Sequence, residues 1–185
     1  MAVDLVKLQK IGQDLLETLG YDVRVPGVKD TPRRFARMWQ EFIDYEPGND
    51  DTTFESVETD QMVVVTGMRV WSMCEHHLLP FWCDVSVGYL TGDKVLGLSK
   101  FARIAHAAAH RLQLQERLVT DIADRVQAVT ECKDVAVLAK GEHLCMTMRG
   151  VRTPAKMVSS VQRGDFLTNP SAREEFLRLC AYASS

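Results

Sequence analysis

Three valine-rich runs, Met62 to Val70, Trp82 to Leu90 and Val95 to Leu98, follow one another closely, with Thr91-Gly92-Asp93 as a turn signal between the last two. They read as antiparallel strands. On either side the pattern is helical. Leu5, Leu8, Ile11, Leu15, Leu16 and Leu19 recur at helix spacing from Asp4 to Leu19, with Gly20 as a stop, and Phe35, Met38, Trp39, Phe42 and Ile43 form a second stripe. Asp30-Thr31-Pro32 opens that second helix, which ends near Tyr45 before the loop EPGNDD. Ser99 to Glu131 is helical again. One unbroken helix of that length, at ~1.5 Å per residue, overreaches a small domain, so a helical hairpin turning near Leu112 to Gln115 is expected. Val135 to Met148 is strand-like, Lys156 to Val161 is its pairing candidate, and Ser171 to Ala183 closes the chain as a helix. Strands and helices segregated in this way predict an α+β fold with antiparallel pairing rather than alternating βαβ units. We expect a helical region over 1–50 and the main domain over 51–185.

The chain has 185 residues, enough for one domain with a real core, and a formal net charge of -3 from 22 basic and 25 acidic residues. That balance gives no global reason to expect nucleic-acid or membrane binding. No run approaches the ~18 apolar residues of a membrane span, and MAVDLVKLQKIGQDLL mixes charges into its apolar residues, unlike a signal peptide. A cytoplasmic protein is expected. The 5 cysteines, Cys74, Cys83, Cys132, Cys145 and Cys180, are odd in number and widely spread, which argues against a disulfide framework. Reduced cysteines serve as buried hydrophobes, ligands or nucleophiles.

Two segments gather metal-binding side chains. Ser72 to Phe81 reads SMCEHHLLPF, and its Cys74-x-x-His77 spacing lets a thiolate and an imidazole share one metal. In Glu142-His143-Leu144-Cys145, residues two apart in a strand point to one face, so His143 and Cys145 are expected to face one site. Zinc favours sulfur and nitrogen donors; a catalytic zinc keeps three protein ligands and an open fourth position, whereas a structural zinc usually has four. The set Cys74, His77 and Cys145 leaves His76 and His143 as unligated imidazoles beside an activated water, an arrangement suited to hydrolysis. Adding Cys83 instead closes the site and makes it structural. From the residues alone these two readings stand level. A third, that Cys74 and Cys145 are ordinary core thiols, fits two adjacent histidines less well.

With these residues in view, the chain resembles the GTP cyclohydrolase I family. The resemblance runs from Lys29-Asp30-Thr31-Pro32-Arg33 through CEHHLLPF, Gly97-Leu98-Ser99-Lys100 and Leu114-Gln115-Glu116-Arg117-Leu118. It continues through Glu142-His143-Leu144-Cys145-Met146 and Arg149-Gly150-Val151-Arg152 to Arg173-Glu174-Glu175-Phe176-Leu177. It implies the tunnelling fold, an antiparallel sheet with a helix pair on one face, assembled as a homodecamer of two pentamers with active sites between subunits. The implied reaction converts GTP to 7,8-dihydroneopterin triphosphate with release of formate, the first step of pterin and tetrahydrofolate biosynthesis.

The resemblance further implies Zn2+ held by Cys74, His77 and Cys145, with no such part for Cys83. It gives proton transfer to His76 and His143, places Ser99 near the sugar, and assigns the triphosphate to Lys100, Arg103 and Arg149. Lys100 and Arg103 span one helical turn and can face one side, and arginine forks suit phosphate oxygens. Glu116 is expected to accept from guanine N1–H and the exocyclic amine, with Gln115 assisting in base recognition. Taken alone, each of these polar residues is an ordinary surface or helix-start position.

The stretch Ala105 to Arg111 departs from the family pattern in being less bulky. Its His106 and His110 share one helix face and read as polar positions on an exposed or subunit-facing surface. The short amino-terminal region leads us to expect no regulation through an extension there. Two rivals remain: a related tunnelling-fold enzyme such as the nitrile reductase of deazaguanine metabolism, and a catalytically silent zinc-stabilised binding module.

Overall fold

The structure, a computed structural model, describes residues 3–182. They form two compact units, one through Glu46 and one from Pro47. The first holds helices α1 (Leu5–Thr18) and α2 (Thr31–Ile43). Asp4 caps α1 by accepting from Lys7 N at 3.0 Å, satisfying one of the free amides of the first turn. In α2, Pro32 occupies the first turn, where no intrahelical N–H is missed. Phe35 and Phe42 meet Trp39 edge-on.

The second unit is built on a five-stranded sheet, ordered β5-β2-β3-β6-β7, with β2 Met62–Cys74, β3 Pro80–Leu90, β5 Leu112–Gln113, β6 Val135–His143 and β7 Met157–Gln162. The long pairs β2–β3, β3–β6 and β6–β7 are antiparallel, as expected. Helices α3 (Leu98–Ala109) and α4 (Gln115–Thr130) form the anticipated hairpin and pack on one face of the sheet. Val85, Val87, Tyr89, Val135, Val137 and Ala139 meet Phe101, Ile104, Leu118 and Ile122 there. The alternating residues Ala136 and Leu138 point to the other face, against Phe166 and against Phe176 and Cys180 of α7 (Pro170–Tyr182). The chain is therefore α+β, with the helix pair covering one side of an antiparallel sheet.

Several expectations need correction. The third valine-rich run leaves the main sheet: β4 (Lys94–Leu96) pairs with β1 (Thr53–Glu55), a short strand its composition did not announce. Between the two hairpin helices, β5 runs parallel to the end of β2. The strand predicted to reach Met148 stops at His143, and Leu144–Thr147 turns as the short helix α5. A further turn, α6 (Asp165–Thr168), precedes α7, and the predicted last residue of α7, Ala183, lies outside the described residues. His106 and His110, expected on an exposed or subunit-facing surface, are part-buried within the single chain, and His110 closes α3 with its Nδ1 2.7 Å from the His106 carbonyl. Among the described residues no helix is long and apolar enough to cross a membrane.

One irregularity sets the aim of β2. Val65 pairs with Val87 but Met68 pairs with Val85, so Thr66 and Gly67 oppose a single residue. This bulge reverses which side chains face the helices: Val63 and Val65 do so before it, Val70 and Cys74 after it. Gly67 adopts φ +70, and a Cβ there meets nothing within 4 Å, so conformation alone resists a side chain. Gly67→Ala should cost about 1–2 kcal/mol, the penalty of a left-handed L-residue. The check is a lower urea midpoint at unchanged slope.

Candidate metal centre

The β2–β3 connection reverses tightly: Leu78 N donates to Cys74 O at 2.9 Å, and Cys74 N to Leu79 O at 2.9 Å. Leu78 takes φ 53, and Pro80 opens β3 opposite Met73, a strand position that suits proline. This turn folds His77 back over Cys74, placing His77 Nδ1 3.7 Å from Cys74 Sγ. The β3–β6 ladder sets His143 opposite Phe81, and the two rings stack with centroids 4.5 Å apart and planes 7° apart.

Beyond His143 the chain enters α5, so Cys145 arrives on a helical turn and not, as its spacing from His143 suggested, on a strand. The outcome for the ligand set survives that correction. One ligand atom each from Cys74, His77 and Cys145 lies within 4.8 Å of the others, a grouping that can hold a metal ion. Two thiols and one imidazole are a soft sulfur and nitrogen donor set of the kind zinc accepts. Burial, reinforced by the neighbouring Cys74, holds the Cys145 thiol above its usual value, so metal binding there must expel a proton.

Cys83 does not join them. It is fully buried, its thiol pushed up to about 12 by burial and then by Asp84, and it packs where a Cβ on Gly141 would fall. It is a core thiol, which removes the closed four-ligand arrangement.

The other expected residues divide into those the chain ties to this centre and those it does not. Arg149 Nη1 lies 3.1 Å from His77 Nε2. His76 is exposed, edge-on to His77. His143 is half-buried; burial lowers its pKa, and Glu116 partly opposes that. Glu116 stands exposed in the first turn of α4, held near β2 by β5, whose Leu112 and Gln113 pair with Met73 and Cys74. Lys100 Nζ and Arg103 Nη1 converge on one acceptor, the Asn49 carbonyl, at 2.8 and 2.9 Å. Ser99 is exposed in the first turn of α3. Among the described residues no hydrogen bond joins Ser99, Lys100 or Arg103 to the cysteine–histidine group.

Phe81 and Gly141, which the sequence reading did not single out, complete the centre together with Gln115, which was expected in base recognition. Phe81 backs His143, and Gln115 Oε1 lies 2.9 Å from His143 Nε2. Gly141, whose absent Cβ would sit 2.5 Å from that same Oε1, makes room for the amide. A glycine inside a strand pattern signals such a close approach, so its place in Val135 to His143 was the available clue.

The chain matches the profile of the family described as GTP cyclohydrolase I over residues 8–181. It is 42% identical over 179 residues to GTP cyclohydrolase 1 of Hyperthermus butylicus, covering 97% of this chain and 92% of the relative. The proteins of that name from Sulfurihydrogenibium sp. and Aquifex aeolicus are each 44% identical, spanning 97% of this chain and 96% and 98% of their own lengths.

Two variants test the ligand set. After zinc loading and exhaustive dialysis, Cys145→Ala should lose most of its bound metal, whereas Cys83→Ala should keep it, as read by elemental analysis. Metal loss from Cys83→Ala would restore the closed site.

Proposed function

The chain belongs to the GTP cyclohydrolase I family, and from that premise we propose that it converts GTP to 7,8-dihydroneopterin triphosphate with release of formate, using zinc at Cys74, His77 and Cys145. The observation that carries this reading is a donor set of three, not four, with the His76 ring edge-on to His77 and His143 two residues before Cys145 in the chain. When bound, the metal supplies Lewis-acid polarisation and a water activated near neutral pH, its pKa lowered to about 7.

The chain's own residues then have distinct work. His143, two residues before Cys145 in the chain and half-buried, supplies the proton taken up by the ring nitrogen as the imidazole ring opens, and His76 serves later proton transfers. Glu116 offers two carboxylate oxygens to the paired donors of guanine, N1–H and the exocyclic amine. Lys100, Arg103 and Arg149 bind the triphosphate; the convergence of Lys100 and Arg103 on a single carbonyl oxygen supports their taking a phosphate oxygen. Ser99, at the start of α3, holds the sugar.

Assembly and placement belong to the same reading. The outer strand β7 pairs only with β6 among the described residues, and β2 is unpaired on its outer side except where β5 meets Met73 and Cys74. Open edges of this kind favour pairing with further copies, in keeping with a homodecamer of two pentamers whose active sites lie between subunits. The protein works in the cytoplasm, the unit that starts at Pro47 is its catalytic domain, and the helical unit through Glu46 is its amino-terminal region, four residues short of the expected boundary at 50/51.

His143→Ala tests the proton role. It should retain most zinc and lose about 10²–10⁴-fold in formate release from GTP, the usual scale for a general acid. Near-normal ring opening by this variant would remove His143 from the mechanism. Wild-type protein, zinc-loaded and assembled, that yields neither formate nor pterin would favour a binding module instead.

A further inference from the structure

Gln115 is fully buried, an unusual place for a residue expected to touch a base. Its amide nitrogen lies 3.1 Å from each of three partners: the Ala139 carbonyl, the Met157 carbonyl and Ser159 Oγ. The two carbonyls can only accept, so the nitrogen end of the amide must face them; reversing it would set oxygen against oxygen. The orientation is therefore fixed by the backbone of β6 and β7. Its oxygen is then left facing His143 Nε2 at 2.9 Å. An amide oxygen can only accept, so Nε2 must carry a hydrogen.

We infer that Gln115 is a positioning residue that locks the Nε2–H form of His143, so that every proton His143 exchanges with substrate passes through Nδ1. This rests on the catalytic reading of His143 given above. In the transfer, imidazolium Nδ1–H gives its proton to the lone pair of the purine ring nitrogen, the electrons of the N–H bond stay on Nδ1, and neutral His143 keeps its Nε2–H bond to Gln115. The ring cannot swing to present Nε2, because the Phe81 ring stacks on it and the Gln115 oxygen holds its edge. Gly141 belongs to the device, since a Cβ there would meet the Gln115 oxygen at 2.5 Å and the Cys83 sulfur at 2.6 Å. Fully buried, with its amide turned to β6, β7 and His143, Gln115 presents no exposed group to guanine; base recognition falls to Glu116.

The test begins with unmutated, zinc-loaded protein labelled with 15N and 13C in its 5 histidines. Solid-state spectra, with His143 identified by the signals missing from His143→Ala, should show a hydrogen-bearing Nε2 at that residue. A bare Nε2 would overturn the inference, and this readout needs neither turnover nor a Gln115 variant. Gln115→Met, which keeps the shape and removes the amide, should lower kcat by about 10–100-fold, the scale for losing an outer-shell partner, with KM for GTP within about twofold. A raised KM at unchanged kcat would make Gln115 a base contact and overturn the positioning role. If the unmutated protein opens no GTP, the functional reading fails, while the spectra still decide the tautomer.

Discussion

The register of β3 against its two neighbours is the constraint on which the centre depends. Pairing Met73 with Pro80 closes the turn that carries Cys74 and His77, and pairing Phe81 with His143 brings β6 to the same end of the sheet. Because side chains alternate along a strand, a slip of one residue in either ladder would turn one contributor to the opposite face. The bulge at Thr66 and Gly67 is part of this alignment. Without its extra residue, the register that buries Val63 and Val65 against the helices would direct Cys74 to the far face. Core packing and ligand placement are thus set by the same hydrogen-bond ladders.

Much of this was legible in the chain. Helical spacing located α1, α2 and the α3–α4 hairpin, and the β6–β7 pairing was expected, with β6 starting at Val135 as observed and β7 within a residue of its observed ends. The failures are physically informative. The β1–β4 ribbon involves short strands whose partners lie far apart in sequence, so no local pattern pairs Thr53 with Leu96. The parallel contact of β5 with β2 is likewise a tertiary event. Leu144 to Met148 continues the apolar, strand-like composition of β6, yet the chain coils there and lets Cys145 reach Cys74 and His77. The ligand triplet was readable because cysteine and histidine side chains are chemically distinctive. The inward turn of Gln115 to Ala139, Met157 and His143 was not legible, because its sequence neighbour Glu116 faces solvent and these partners lie far away in the chain.

In the proposed site, the labour is divided between rigid and exposed parts. His143 is held by a buried stack and a buried amide, while His76, Glu116 and Ser99 stand where a ligand can reach them. A proton donor benefits from such fixation because proton transfer needs its donor atom within hydrogen-bond reach of the acceptor. The exclusion of Cys83 from the ligand group gives the centre its chemical meaning: three protein donors leave a metal room for a reacting molecule, and four would not.

The most direct measurement of that claim is X-ray absorption at the zinc edge of the loaded, unmutated protein, which counts sulfur donors around the metal. The account predicts two sulfurs, from Cys74 and Cys145, with the remaining donors nitrogen or oxygen. A shell of three sulfurs would place Cys83 on the metal, close the site, and contradict the reading of this centre as a hydrolytic one.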